Sequence, residues 1–247
     1  MEIIGYIASI LIGISLGLIG GGGSILTVPV LVYLFHVDPV QATAYSLFIV
    51  GASSLVGAWP KYKQGFVNLK TAIIFGIPSI IAVFATRKFL LPALPNEIAE
   101  FGGIIITKSL MMMLLFAILM IAASFSMIRS RTSSINLKEE DQKFNYPIII
   151  LEGSLVGILT GLVGAGGGFL IIPALVMLSK LPMKQAVGTS LLIIAAKSLI
   201  GFTGDLGNRT MDWTLLLTVT ALAIAGIFIG DKLSKRIDGN KLKKGFG

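Results

Sequence analysis

Apolar segments at about 3–19, 25–35, 41–58, 71–91 and 102–128, and again at 148–163, 169–179, 186–203 and 213–230, take up most of this 247-residue chain. One helix needs roughly 20 apolar residues to cross a bilayer, so segments of this number and length have no place in a water-soluble core. The composition agrees. Hydrophobic residues make up 55% and charged residues 13%, with a mean hydropathy of +0.91, whereas a soluble domain carries about 25% charged residues. Disorder, a coiled coil and an ordinary soluble enzyme are excluded. The expected fold class is an all-α integral membrane protein, a polytopic helical bundle embedded in lipid.

Chemistry is narrowed by what is scarce. The chain has no Cys and one His, His36, which removes disulfides, thiolate metal sites, cysteine nucleophiles and most imidazole chemistry. No metal and no cofactor is expected, nor an enzyme. The net charge of +8 does not point to nucleic acid, because the basic residues lie in short runs beside apolar segments and not in one contiguous patch. The N-terminus lacks a basic n-region and a small-residue cleavage site, so it reads as a retained span.

A polar linker, Arg129 to Tyr146, divides the chain into a first repeat (1–128) and a second (147–247). An offset of 144 residues lays Gly17–Gly57 on Gly161–Gly201 without a gap, and 19 of those 41 positions are identical. Orientation follows from Lys and Arg. If each glycine-rich region is the bend of a hairpin, loops 59–70, 129–146, 180–185 and 231–247 share one side and carry 3, 4, 2 and 6 basic residues. The other side carries 4: Arg87, Lys88, Lys108 and Arg209. Treating 3–35 and 148–179 as single broken spans gives 8 against 11 and no bias. The positive-inside rule selects the hairpins, with the linker cytoplasmic and the N-terminus outside. Five segments per half is odd, so the repeats are expected to be inverted, as in many secondary transporters. By the same offset Gly102 maps to Phe246, so the last span of the second half is expected to be missing.

The two bends are the first candidate site. Gly20 to Ser24, with Gly21, Gly22, Gly23 and Ser24, precedes one short apolar segment; Gly164 to Gly168, with Gly166, Gly167 and Gly168, precedes the other. About eleven helical residues rise roughly 16 Å, half a bilayer, so each is a broken or re-entrant hairpin. Non-helical backbone at that depth needs protein or water around it, and the following helix N-terminus presents N–H groups and positive dipole to an anion. The bends are expected to face each other near the midplane. The competing reading is that the glycines only allow close helix packing. Neither loop has nucleotide-binding spacing.

Lys197 is the sharpest single feature. It lies inside LLIIAAKSLIGF, where an ammonium costs about 2.5–3.5 kcal/mol even on insertion scales. It must face a cavity or a partner, either as a fixed cation for an anionic substrate or bridged to Glu152 or backbone carbonyls. Its repeat mate is Ser53. Ser46, Ser53, Thr189 and Ser190 are the neutral donors assigned to the site, with Ser54 and Ser198 as neighbours, although such hydroxyls often only bond the preceding turn. Glu152, five residues past Pro147, is the candidate for a coupling proton or cation, although its shallow depth suits an interfacial carboxylate better. Asp38, Asp205 and Asp212 read as loop or cap residues, Gln41 and Gln185 as possible caps, Trp59 and Trp213 as an interfacial belt, and Met111 to Met113 as packing material.

The paired strings GLIGGGGSILTVPVL and GLVGAGGGFLIIPAL, each followed by a QA…SL segment, resemble the TauE/SafE sulfite exporter family over nearly the whole chain. The resemblance implies a bacterial inner-membrane permease that exports sulfite, thiosulfate, an organosulfonate or another small organic acid, driven by an ion gradient. The chain departs from the family pattern at Lys197, where Asn is common. Uptake of the same anions and a non-transporting membrane scaffold stay open at this point; a hydrolase lacks its base and its metal ligands.

Overall fold

In a computed structural model the chain is described over residues 2–21, 23–101, 104–129, 146–177, 181–207 and 210–234. The linker expected at 129–146 lies almost wholly outside the described residues, as do Gly22 and residues 235–247. The first half opens with α1 (Glu2–Ile19), α2 (Gly23–Tyr33) and α3 (Pro39–Lys63). Next, α4 (Leu69–Ala85) continues through a π-turn (Thr86–Leu90) into the short α5 (Leu91–Ala93). Strands β1 (Glu97–Phe101) and β2 (Ile104–Thr107) precede α6 (Lys108–Arg129). The second half comprises α7 (Tyr146–Val163), α8 (Gly168–Met177), α9 (Met183–Thr203) and α10 (Trp213–Ser234).

Helix starts follow local chemistry. Asp38 caps α3, its Oδ1 accepting from the amides of Val40 at 2.9 Å and Gln41 at 3.2 Å, with Pro39 in the first turn where no N–H is needed. Asn68 caps α4 by accepting from Thr71 N at 3.0 Å, and Asp212 accepts from Leu215 N at 3.0 Å. Those two caps are repeat mates, and α1 and α7, α3 and α9, and α4 and α10 begin at the same 144-residue spacing. Gln41 is no cap: its Nε2 donates to Tyr45 OH and to the Thr210 carbonyl, each at 2.9 Å.

One expected span is corrected. The segment taken as apolar helix from 102 begins instead as a strand, with β1 and β2 paired antiparallel from Glu97↔Thr107 to Phe101↔Ile104. Three consecutive isoleucines, Ile104 to Ile106, are stiff at χ1 and favour extended backbone over a helical turn. Helix begins only at Lys108.

Small residues set the packing. A Cβ on Gly13 would strike the Ala223 carbonyl, one on Gly17 the Ile227 carbonyl, and one on Gly230 the Ile14 carbonyl. α1 therefore runs parallel to α10 at near backbone contact. Gly153 and Gly157 meet the carbonyls of Phe75 and Ser79, and Gly161 meets Thr86, so α7 runs parallel to α4 in the same way. α3 and α9 cross antiparallel: Gly51 lies on Leu199, Gly57 near Leu191, and Gly201 within reach of Leu47. Between helices in lipid, such close approach replaces the hydrophobic drive available in water. α2 folds back along α1, with Gly23 against Ile12 and Leu16 and the Phe35 ring 5.3 Å from Tyr6.

Among the described residues four helices are long and apolar enough to cross a membrane: Pro39–Lys63, Leu69–Ala93, Met183–Thr203 and Trp213–Ser234. Ile3, Ile7, Leu11, Ile77, Ile81, Leu217 and Phe228 are exposed on the outside, a surface suited to lipid and not to water. Trp59 and Trp213 are exposed at helix ends, and Met112 is buried.

The packing yields a stability test. Gly13→Val and Gly157→Val each drive a side chain into a facing carbonyl and lower stability by about 1–3 kcal/mol, read as the unfolding midpoint in detergent. Gly76→Ala, whose Cβ meets only Ile193 at 4.0 Å, holds or raises the midpoint. Equal midpoints for the three variants would contradict this arrangement.

Candidate functional site

The site is built around the second bend. α7 ends at Val163 and α8 starts at Gly168. Between them Gly164, Gly166 and Gly167 have φ of +73°, +62° and +73°, the left-handed region where an L side chain is strained. The Gly164 amide closes α7 by donating to Thr160 O at 2.8 Å, and the Gly167 carbonyl accepts from Leu170 N at 3.0 Å and Ile171 N at 2.9 Å to open α8.

Lys197 reaches this bend from α9. It is 0% exposed, and its Nζ donates to Thr160 Oγ1 at 2.8 Å. A Cβ on Gly167 would stand 2.5 Å from that Nζ and in contact with Thr160. The glycine is therefore what makes room for the ammonium. Among the described residues no carboxylate pairs with Lys197; the bridge to Glu152 weighed from the sequence is not present. Glu152 lies half-buried on α7, eight residues and about 12 Å of helix away from Thr160.

The first bend meets the second directly. A Cβ on Gly21 would land on the backbone of Gly168, and one on Gly168 on that of Gly21. Gly20, with φ +80°, packs on Val187, and its repeat mate Gly164 packs on Thr43, the mate of Val187. Gly23 starts α2, and buried Ser24 beside it donates to the Gly21 carbonyl at 2.6 Å. The two halves then diverge. Gly23 faces Leu16 where its mate Gly167 faces Thr160, and Ser53 stands in α3 where Lys197 stands in α9. The polar partners are confined to the second half.

The remaining candidates are spread along α3 and α9. Ser53 donates to Ile49 O at 2.6 Å and Ser190 to Val187 O at 2.9 Å, each satisfied within its own helix. Thr189 accepts from Asn68 N at 2.9 Å, which ties α9 to the start of α4 and away from Lys197. Ser46, Ser54 and Ser198 are buried with hydroxyls that find no partner among the described residues; Ser54 and Ser198 are repeat mates. A buried hydroxyl left unpaired carries the desolvation cost of its polar atom.

Sequence reading missed Thr160, and the missing signal was the asymmetry itself. Thr160 replaces Leu16 and Lys197 replaces Ser53 at equivalent positions, and the two replacements touch. It also gave no sign that two charges pair. Asp205 lies in the turn after α9, as the sequence suggests, yet it is buried, and Arg87 is buried in the π-turn after α4. Arg87 Nε pairs with Asp205 Oδ2 at 2.7 Å, both buried. These residues are 118 positions apart, so only the tertiary fold joins them. Lys61 pairs likewise with Asp231 at 2.9 Å.

The comparisons concur with a membrane protein. The family model described as Sulfite exporter TauE/SafE matches residues 6–247. A probable membrane transporter protein of Xylella fastidiosa is 31% identical over 244 residues, covering 96% of this chain and 87% of the relative. One of Methanocaldococcus jannaschii is 28% identical, covering 96% and 88%, and one of Bacillus subtilis is 28% identical, covering 91% and 86%. No solved structure matches.

Removal of the Thr160 hydroxyl isolates the Lys197 contact. Thr160→Val leaves a buried ammonium without its acceptor and destabilises the protein by about 1–3 kcal/mol, while Thr160→Ser, which keeps the oxygen, costs less. Unfolding midpoints in detergent that fail to separate the two variants would show that this hydrogen bond does not matter.

Proposed function

The chain belongs to the TauE/SafE family of multi-pass membrane transporters, and from that premise we propose that it exports a small anion, sulfite or a related sulfur-containing or organosulfonate oxyanion, across the inner (plasma) membrane. The observation that carries the anion reading is Lys197: an ammonium fully buried in an apolar bundle, with a hydroxyl and a glycine bend around it and no carboxylate to neutralise it among the described residues. A charge so placed is rare inside membranes and marks a substrate or ion path. The α8 N-terminus beside it adds positive dipole. Lys197, Thr160 and the bend 166–168 are assigned to binding, with Gly21, Gly23 and Ser24 of the abutting bend closing the site. The hydroxyls of Ser46, Ser53, Thr189 and Ser190 are assigned to a substrate path along α3 and α9, and Glu152 to a coupling proton or cation.

Alternating access follows from the proposed inverted repeats, a first unit at 1–128 and a second at 147–247 joined by a cytoplasmic linker, with the N-terminus outside. The exchange of packing partners supports this relation. α1 lies on α10 as α7 lies on α4, and the antiparallel crossing of α3 and α9 is what a two-fold axis in the membrane plane produces. Rocking of one unit against the other about the central crossing would expose the bends to each side in turn.

Flux of labelled sulfite, thiosulfate and sulfoacetate into proteoliposomes tests the reading, with wild type set against Lys197→Ala. Saturable flux of at least one anion is expected, reduced by about tenfold or more in the variant, because a hydrogen bond to a charged group contributes roughly 1.5–3 kcal/mol. Flux untouched by Lys197→Ala would remove Lys197 from the site, and no flux of any of the three from folded protein would overturn the sulfur-anion assignment.

A further inference from the structure

Two buried ion pairs join the halves at opposite ends of the bundle. Lys61, at the end of α3, binds Asp231 of α10 at 2.9 Å and donates to Ser234 Oγ at 2.7 Å. Arg87, in the π-turn after α4, binds Asp205, which follows α9. The 144-residue offset maps Lys61 onto Asp205 and Arg87 onto Asp231. Each bridge is thus the repeat image of the other with its polarity reversed. Chance pairing of surface charges does not give this result: four charged positions, two in each half, have kept complementarity while exchanging sign.

The two ends are otherwise unlike. Arg87 Nη1 also donates to Thr43 Oγ1 at 3.0 Å and to the Gly161 carbonyl at 3.1 Å, so one side chain ties α3, α4, α7 and the α9 terminus together, and it is 0% exposed. Thr43 is in turn the residue that Gly164 of the second bend packs on. At the other end a cavity of about 230 Å³ opens beside Lys61, lined among others by Leu18, Gln64, Lys184, Val187 and Ser234. Its wall at Val187 is the residue that Gly20 of the first bend packs on. A water takes about 30 Å³ of liquid volume, so the cavity has room for a small oxyanion with several waters. Beside the Lys61 bridge, Lys184 offers an ammonium and Gln64 an amide, which suit a negative charge.

We infer that Lys61–Asp231 and Arg87–Asp205 are the two gates of the transport cycle, the first governing the basic cavity by which a small anion reaches the bends, the second sealing the opposite end. This rests on the carrier reading above. The reversed polarity gives the exchange its balance: opening one end hydrates an ammonium or guanidinium with a carboxylate, while closing the other buries a pair of the same kind. The cost of solvating charges at one end is offset by the contact made at the other, and neither state leaves a lone charge in the gate. The present structure has both pairs made, with a cavity beside the Lys61 pair alone.

The chain contains no cysteine, so single-cysteine reporters can be placed without background. Leu18→Cys reports on the cavity, and Leu162→Cys, at its repeat mate, reports on the Arg87 end. Both are labelled in membrane vesicles with a charged, membrane-impermeant thiol reagent offered from either face. In the parent background Leu18→Cys is expected to label faster. Arg87→Gln raises labelling of Leu162→Cys and lowers that of Leu18→Cys, by about tenfold each, while Lys61→Gln does the reverse; such reciprocity is what a two-state population shift requires. Arg87→Lys, which keeps the ion pair but not the guanidinium fork, shifts the pattern in the same direction and by less. Should Arg87→Gln fail to fold, Arg87→Lys and Lys61→Gln carry the test. Labelling that rises at both reporters together, or moves at neither in folded variants, would overturn the gates and leave the bridges as structural ties. The assay uses no substrate, so the gates can fail while anion flux stands. Reciprocal labelling without flux of any sulfur anion would sink the substrate assignment alone.

Discussion

A buried ammonium with no counter-carboxylate among the described residues is the constraint around which the second half is arranged. Lys197 cannot snorkel from the middle of α9, and removing a charge from water costs several kcal/mol unless polar atoms replace the lost hydration. Thr160 supplies one oxygen. Gly167 supplies space, because its missing Cβ is the volume that the ammonium occupies, and it does so in a backbone conformation that other residues resist. The second bend and its contact with the first at Gly21 hold that charge close to backbone and away from lipid, whereas the first half makes its own bend without an ammonium.

The frame around it is nearly symmetric, and its departures from symmetry are informative. Helix starts, caps, glycine seams and even the ion-pair positions repeat at one spacing. Leu16 against Thr160 and Ser53 against Lys197 break the pattern at the one place where the bends meet α3 and α9. A symmetric scaffold can move as two equivalent bodies, and in the proposed reading the asymmetric centre is where a single anion binds. In the proposed cycle the scaffold provides the motion and the second bend provides the chemistry.

Much of this was legible in the chain before any coordinates. Apolar length marks the helices, the glycine runs mark the bends, and Lys197 is conspicuous because it is the one charge between Lys184 and Asp205. The rest was hidden for physical reasons. The Ile104 to Thr107 strand looks like the start of a span, since β-branched apolar residues raise hydropathy as much as helix formers do. Arg87 and Asp205 look like loop charges because their pairing depends on α4 and α9 packing across 118 residues. Thr160 looks like an ordinary membrane hydroxyl until α9 brings an ammonium to it.

The most direct measurement is the position of a bound oxyanion. Selenite keeps the shape and charge of sulfite, and its selenium can be located by anomalous scattering in crystals of the protein. A peak is expected within hydrogen-bonding reach of Lys197 Nζ, against the bend 164–168 and the abutting Gly21, and it disappears in Lys197→Ala. A peak confined to the protein surface, or one beside the bends that persists in Lys197→Ala, would contradict that placement.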